Sequence, residues 1–322
     1  MRILATGAAG FVGSNCARRW AKAGREVVVY DLFTYAGRVE NLLDIRDRVV
    51  VIRGDVADRD AVFRAVAEHK PDVVVNFAAE SHVDRSINEP ERFIRTNVYG
   101  PYALAEAARA FKTPLVHIST DEVYGDLHGA EPAGEESPLR PSSPYSASKA
   151  AADLFLLAYV RTYGVDVKIV RPSNMYGPYQ HPEKLIPRTA VRLLLGKPAV
   201  IYGDGGDVRD YLYVEDFCEA LDLIIEKGEE RIYNVPGGNP RTVKEVVEAV
   251  ARLVGKGEVK RGRPRPGGDR VYAMRGEKIR ALGWRPRTPW EEGLRRTVQW
   301  YVENRWWWEP LLDDYVLRDE PW

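Results

Sequence analysis

Short β-branched runs alternate with helical stretches through the first half of the chain. A glycine-rich turn joins the first run to the first helix, and past Arg171-Pro172 the texture shifts to Gly, Pro and Tyr. Together these features predict an α/β fold: a Rossmann-type doubly wound parallel sheet followed by a smaller C-terminal α/β substrate-binding lobe.

The expected elements follow in order. Arg2–Ala5 reads as a strand, Ser14–Ala23 as a helix and Glu26–Tyr30 as the second strand. Val49–Arg53 is the third strand, followed by a helix from about Asp58 to Glu68. Asp72–Phe77 is a fourth strand, Pro90–Ala110 a long helix and Pro114–Ser119 a fifth strand. Pro144–Tyr163 is a long helix and Val165–Val170 a sixth strand. The apolar runs are continuous rather than alternating, the pattern of strands buried on both faces. Beyond them, helices are expected at Leu185–Leu195, Glu215–Lys227, Val243–Leu253 and Trp290–Glu303, with a strand at Arg231–Val235. The division is therefore 1–171 for a cofactor domain and 172–322 for a second domain, with 212–236 a candidate to return to the first sheet. The Trp306–Trp308 run reads as packing for a terminal helix.

The 322 residues are 45% apolar and 29% charged, with zero formal net charge. That composition argues against general nucleic-acid or membrane-surface binding, so anionic ligands must be held by local charges. No apolar run approaches membrane-spanning length. Met1 leads almost directly into a strand, and the expected location is cytoplasmic. Cys16 and Cys218 read as two buried free thiols. The five histidines have no metal-site spacing, so no metal is expected.

The segment Gly7-Ala8-Ala9-Gly10-Phe11-Val12-Gly13 follows a strand and opens a helix. Such a turn is tight, lets backbone approach a pyrophosphate and presents helix N-terminal N–H groups to it. Asp31 ends the second strand, where an acid bonds the adenosine ribose and repels a 2′-phosphate, so the pattern favours NAD. Asp55 ends the third strand and is placed for the adenine side.

Tyr145 and Lys149 stand one turn apart on one helix face. A tyrosine's ordinary pKa is about 10, and a nearby ammonium favours phenolate. Thr120 lies just past the fifth strand, within Ser119-Thr120-Asp121-Glu122-Val123-Tyr124-Gly125. Strand ends are where ligands bind in open α/β sheets. Adjacent acids on a strand face opposite ways, but beyond its end both Asp121 and Glu122 can reach one substrate.

Thr120–Gly125, the run Ala79-Glu80-Ser81-His82-Val83-Asp84-Arg85-Ser86, and Tyr145-Ser146-Ala147-Ser148-Lys149 resemble the dTDP-glucose 4,6-dehydratase family of extended short-chain dehydrogenase/reductases. So do the stretch from Asn174 through Lys184-Leu185-Ile186-Pro187, the run Arg209–Asp216, and the tail Trp307–Leu312. The resemblance spans essentially the whole chain. It implies a lyase that oxidises a nucleotide-linked hexose at C4, eliminates water across C5 and C6, and returns the hydride to C6. Tyr145 would be the base at the 4-hydroxyl, assisted by Lys149 and Thr120. Glu122 would be the base at C5, and Asp121 the acid at the 6-hydroxyl, buried and kept protonated. It also implies NAD held by Phe11, Val12, Val56, Ala78, Ala79 and Thr96 besides the residues above. The substrate would be held by Ser81, Asn174, Lys184, Leu185, Arg209, Asn234 and Arg265. A homodimer is implied through the helices near 90–110 and 144–163.

The chain departs from the family at Met175, where a second Asn is usual, and at Gly268, where His is usual. Both bear on nucleotide and sugar selection. A nucleotide-sugar 4-epimerase would share the fold, NAD, Tyr145 and Lys149 without needing an acid–base pair. A UDP-glucuronate decarboxylase would keep the glutamate and typically not the aspartate. An NAD-binding scaffold protein would commonly lose Tyr145 or Lys149.

Overall fold

The computed structural model describes residues 1–264 and 268–320. In the first half, the strands are β1 (Arg2–Thr6), β2 (Glu26–Asp31), β3 (Val49–Arg53), β4 (Val73–Asn76), β5 (Leu115–Ile118) and β6 (Val167–Pro172). Between them lie α1 (Phe11–Lys22), α2 (Arg59–His69), α3 (Val83–Asn88), α4 (Pro90–Ile94), α5 (Gly100–Phe111) and α6 (Pro144–Tyr163). Then follow β7 (Asn174–Tyr176), α7 (Leu185–Leu194), β8 (Ala199–Tyr202), β9 (Val208–Tyr213), α8 (Val214–Lys227), β10 (Ile232–Val235), β11 (Pro240–Thr242), α9 (Val243–Val254) and β12 (Val259–Gly262). The chain closes with α10 (Glu277–Ala281), α11 (Trp290–Glu303), α12 (Arg305–Trp308) and α13 (Asp314–Leu317).

The main sheet has the order β10-β6-β5-β4-β1-β2-β3, and every pair in it is parallel. Strand order reverses between β1 and β4, which opens a crevice at their carboxyl ends. Thr6, Asn76 and His117 meet there. The Thr6 hydroxyl donates to Asn76 Oδ1 (2.6 Å), and Asn76 Nδ2 lies 2.9 Å from His117 Nδ1. Burial pushes the His117 imidazole well down, so its ring is neutral and Nδ1 can accept. β10 pairs with β6, so the chain returns to the first sheet after building much of the second lobe. That lobe carries the sheets β11-β9-β7 and β12-β8 against α7, α9 and α11.

Local chemistry explains the helix ends. Ser143 and Ser146 form a reciprocal capping box at α6, with Pro144 in the first turn and Gly164 at φ +67° ending it. Thr242 and Glu245 do the same for α9. α1 starts at Phe11, not Ser14, because the glycine turn itself supplies its first turn; Gly10 offers no side-chain cap.

Three expectations are corrected. The 90–110 stretch is not one regular helix: α4 and α5 are separated by a π-helical turn, Arg95–Tyr99. Pro101 lacks an N–H and would crowd the carbonyl four residues back, and a widened turn accommodates it. The turn buries Asn97, whose side chain accepts from Glu80 N (2.9 Å) and donates to Glu80 O and Ser148 Oγ (2.9 Å each). Next, β3 is not buried on both faces: it is the sheet edge, with Val50 and Val51 exposed. Finally, Cys16 and Cys218 are not free thiols but a disulfide joining α1 to α8 across 202 residues of sequence, fully inside the core.

Trp307 and Trp308 are buried and Trp306 is exposed. Trp307 Nε1 donates to Asn41 Oδ1 (2.7 Å), which fastens the C-terminal helices to the first lobe. Among the described residues no helix is long and apolar enough to cross a membrane, and no cluster of His, Cys, Asp or Glu could hold a metal ion.

Closing so long a loop constrains the unfolded chain, and such bridges contribute about 2–4 kcal/mol. Replacing both cysteines (Cys16→Ala with Cys218→Ala) should lower the thermal midpoint by several degrees in calorimetry. Peptide mapping of unreduced protein should recover one cross-linked pair; two alkylated thiols would contradict the bridge.

Candidate active site

The glycine turn is dictated by contact. Gly7 has φ +69°, and a Cβ there would stand 2.4 Å from Ala78 N. A Cβ on Gly13 would stand 2.6 Å from Ala8 Cα. Gly10 is different: its φ is ordinary, and a Cβ would meet only Gly7 O, at 3.2 Å. Internal packing makes little demand for glycine at Gly10, which lies in the wall of a cavity. That open cradle, with the uncapped N-terminus of α1 behind it, fits a phosphate group.

Every residue expected to hold the cofactor lines this cavity: Gly7, Gly10, Phe11, Val12, Gly13, Asp31, Asp55, Val56, Ala78, Ala79, Thr96, Tyr145 and Lys149. Asp31 accepts from the backbone of Ala9 (2.9 Å) and Phe33 (2.8 Å); burial pushes its carboxyl up against those bonds. Asp55 accepts from Ala57 N (2.8 Å) and Arg95 Nη2 (2.9 Å).

At the far end of the cavity, Tyr145 and Lys149 lie in the wall and Thr120 is buried. Lys149 Nζ donates to Ile118 O (2.6 Å), the last residue of β5, and burial lowers its pKa to about 8. Burial and the nearby Glu122 carboxylate hold the Tyr145 phenol above its ordinary value, while the Thr120 hydroxyl pulls the other way. Beyond β5, the 3₁₀ turn Asp121–Tyr124 starts with Thr120 Oγ1 accepting from Glu122 N (3.3 Å). This turn is why neighbouring acids need not face opposite ways.

The two acids differ. Glu122 lines a second cavity, in the other lobe's direction. Asp121 is buried, and its Oδ2 meets no protein partner. Burial first, then Glu122 and Asp210, push the Asp121 carboxyl well up, which favours its protonated form.

The turn is braced from behind. Arg171 Nε donates to Asp153 Oδ2 (2.8 Å), both buried, and Arg171 Nη1 donates to Tyr124 Oη (2.8 Å). Tyr124 Oη in turn donates to Asn234 Oδ1 (2.8 Å). This corrects the expectation for Asn234. It is fully buried, its amide donates to Arg275 O (3.0 Å) and Ala133 O (3.4 Å), and it lines neither cavity. It supports the site from within the protein rather than meeting a ligand.

The second cavity gathers Ser81, Asn174, Lys184, Leu185 and Arg209 with Glu122. Asn174 Oδ1 is buried without a protein partner. Lys184 Nζ donates to Ser81 O (2.5 Å). Arg209 lines the cavity but spends donors on Val208 O (2.8 Å) and Asp269 O (2.9 Å). Arg265 lies outside the described residues. Ser81, Met175, Gln180, Glu183 and Lys184 line both cavities and so mark the seam between them.

A family profile described as GDP-mannose 4,6 dehydratase matches residues 4–297. The dTDP-glucose 4,6-dehydratase 1 of Escherichia coli K12 is 44% identical over 340 residues, covering 95% of this chain and 94% of the relative. The chain belongs to the dTDP-glucose 4,6-dehydratase family. A solved dTDP-glucose 4,6-dehydratase of Streptomyces venezuelae, with NAD bound, superposes with TM-score 0.93 at 43% identity over 97% of this chain and all of its own. A UDP-glucose 4-epimerase of Thermus thermophilus, also with NAD, superposes with TM-score 0.89 at 38% identity, covering 94% of this chain and 100% of that one. Dehydratase and epimerase thus share the scaffold, and what separates them must lie in side chains.

Sequence reasoning missed several residues in the cavity walls and behind them. Arg85 lies between the rings of Tyr35 (4.0 Å) and Tyr315 (3.9 Å) and bonds Glu183 and Asp313 (2.8 Å each). Burial would raise the Glu183 carboxyl, but His82, His181, Lys184 and Arg85 hold it at about 2. The runs holding Arg85 and Glu183 were visible as motifs, but their pairing across the chain was not. Tyr272 carried no sequence signal at all.

The lysine's shift fixes a pH dependence. Its folded pKa, about 8, lies below its ordinary 10.5. Between those values the unfolded chain binds a proton that the folded one does not, so stability rises with pH across that window. In denaturant titrations, the protein should therefore gain on Lys149→Met as pH climbs from about 8 towards 10.5. A pH-independent difference would contradict the shift.

Proposed function

We propose that the protein dehydrates a nucleoside-diphosphate hexose, dTDP-glucose, to its 4-keto-6-deoxy derivative, with NAD regenerated in each turnover. One observation carries the reading. Two adjacent acids stand just past β5, whose last residue lines the cofactor cavity; one is buried with its carboxyl pushed well up, the other faces the second cavity. A 4-epimerase, which returns hydride to the carbon it left, has no use for that pair.

In this reading residues 1–171 hold the cofactor and 172–322 the nucleotide, with β10 returned to the first sheet. Gly7–Gly13 and the start of α1 receive the pyrophosphate, Asp31 the ribose, and Tyr145 with Lys149 the nicotinamide end. NAD bound there supplies a hydride acceptor at C4 of the sugar and a hydride donor at C6.

The chain's own residues manage the protons. Tyr145 takes the proton of the 4-hydroxyl, and the Lys149 ammonium and Thr120 hydroxyl are the chain's means of favouring phenolate. The C4 ketone acidifies C5–H, and Glu122 removes that proton. The C–H electron pair becomes the C5–C6 double bond as the C6–O bond breaks. Asp121 protonates the departing hydroxyl, which leaves as water. Glu122 then returns a proton to C5, and the proton gained at Tyr145 balances the one lost at Asp121. Burial of the site excludes competing solvent from these transfers. Asn174, Lys184 and Arg209 hold the nucleotide side. We place the protein in the cytoplasm, where burial shields the Cys16–Cys218 disulfide from soluble thiols.

We also infer a homodimer. Ile94 on α4, together with Leu154 and Phe155 on the adjoining α6, gives these helices exposed apolar surface. A second copy of the same face covers it by two-fold symmetry.

Incubation with dTDP-glucose should yield the 4-keto-6-deoxy product by mass spectrometry; no product from dTDP-, UDP- or CDP-glucose overturns the reading. Asp121→Asn with Glu122→Gln should cut dehydration by about 10²–10⁴-fold or more, the scale of acid–base catalysis. Surviving turnover would reject those roles. Sedimentation should find a dimer, and Ile94→Glu with Leu154→Glu should yield monomers; a wild-type monomer would refute the dimer.

A further inference from the structure

Glu122 has a neighbour that the scheme above leaves idle. Tyr272 is 5% exposed and lines the second cavity beside Glu122 and Arg209. Its ring lies 4.1 Å beneath the Arg209 guanidinium, whose Nη2 also grips Asp269 O, so ring and turn are held together. Its hydroxyl oxygen is 2.7 Å from Asp269 Oδ2 and 3.5 Å from Glu122 Oε2.

A phenol has one proton to give. Hydroxyl hydrogen bonds have donor–acceptor distances near 2.7–2.8 Å, and a contact at 3.5 Å is not a bond of that kind. The two distances therefore place the Tyr272 proton on the Asp269 side. Asp269 Oδ2 also receives the Ser142 hydroxyl, which marks it as an acceptor. Burial, then the Glu122 charge, push the Tyr272 phenol far up, so the proton stays on the ring oxygen. What Tyr272 turns towards Glu122 is a lone pair.

A lone pair discriminates between the two states of a carboxyl group. Facing carboxylate, it offers nothing and stands off. Facing a carboxylic acid, it accepts the acid's O–H, and the contact closes into a bond. We propose that Tyr272 is a positioning residue that stabilises Glu122 in its protonated form, after it has taken the C5 proton, through a hydroxyl whose own proton is committed to Asp269. The arrangement strengthens Glu122 as a base and holds the carboxyl with its proton in place for return to C5. No atom is gained or lost in the relay: Tyr272 keeps its proton, and Glu122 receives one from C5 and gives one back. The Glu122 charge also reaches Asp121 and Tyr145, and Arg209 and Asp269 flank the Tyr272 ring.

The inference rests on Glu122 being the C5 base, and the experiment separates the two. Tyr272→Phe keeps the ring under Arg209 and removes only the oxygen. Single turnovers of dTDP-glucose are quenched and analysed by mass spectrometry, which distinguishes the oxidised, undehydrated sugar (two hydrogens lighter) from the dehydrated product (one water lighter). Tyr272→Phe is expected to form the undehydrated ketone at the normal rate and dehydrate it about tenfold more slowly, the scale of one hydrogen bond. KM should change little, and dTDP should bind with unchanged affinity in calorimetry, showing an intact site. Glu122→Gln should stall at the same ketone. If Glu122→Gln stalls while Tyr272→Phe dehydrates at the normal rate, the role of Tyr272 falls and the base stands. If Glu122→Gln dehydrates normally, the base assignment falls, and this inference with it. If Tyr272→Phe slows C4 oxidation and raises KM with no ketone accumulating, the hydroxyl serves substrate binding and the inference is overturned.

Discussion

The site depends on the ion pair between Arg171 and Asp153. Both side chains are almost wholly buried, and a pair so placed is costly to desolvate and gains little net stability over an apolar substitute. Its value here is geometric. Asp153 sits one turn beyond Lys149 on α6, Arg171 is the last residue but one of β6, and the same guanidinium bonds Tyr124 in the turn that carries Asp121 and Glu122. One charged side chain thus sets the distance between the helix holding Tyr145 and Lys149 and the loop holding the two acids. Losing either partner would leave an uncompensated charge in the core and free the loop from the helix.

Burial is the second constraint, and it acts differently on each group. It raises Asp121 and Tyr145, lowers Lys149, and keeps His117 neutral within β5. The same low-dielectric surroundings therefore push an acid and a phenol up and an ammonium down within one site, drawn from the turn after β5 and from α6. Chemistry that needs an acid and a base side by side at one pH is possible only because their environments differ.

Much of this was legible in the sequence where function is written locally. The glycine turn, Asp31 at a strand end, the pair at Asp121 and Glu122, and the spacing of Tyr145 and Lys149 each depend on a few neighbouring positions. What was not legible depends on who meets whom in space. Asn234 reads as a polar residue next to a glycine-rich loop, yet its amide is consumed by Tyr124, Ala133 and Arg275. Cys16 and Cys218 carry no spacing signal, because their pairing follows from α1 lying against α8. The π turn at Arg95–Tyr99 hides within an unbroken helical pattern. Tyr272 acquires meaning only through a hydroxyl placed unequally between Asp269, its near neighbour in the chain, and Glu122, far from it in sequence.

The return of β10 to the first sheet has a mechanical consequence. The chain passes between the sheets at Ser173, again at the Tyr213–Val214 junction, and again between Val235 and Pro240. A lobe suspended from one linker swings freely; one tied by several crossings behaves like a door on several pins, free to rotate about a single line and stiff against every other displacement. The seam residues from Met175 to Lys184 lie just beyond the first crossing, so any opening of the cleft must bend the chain close to them.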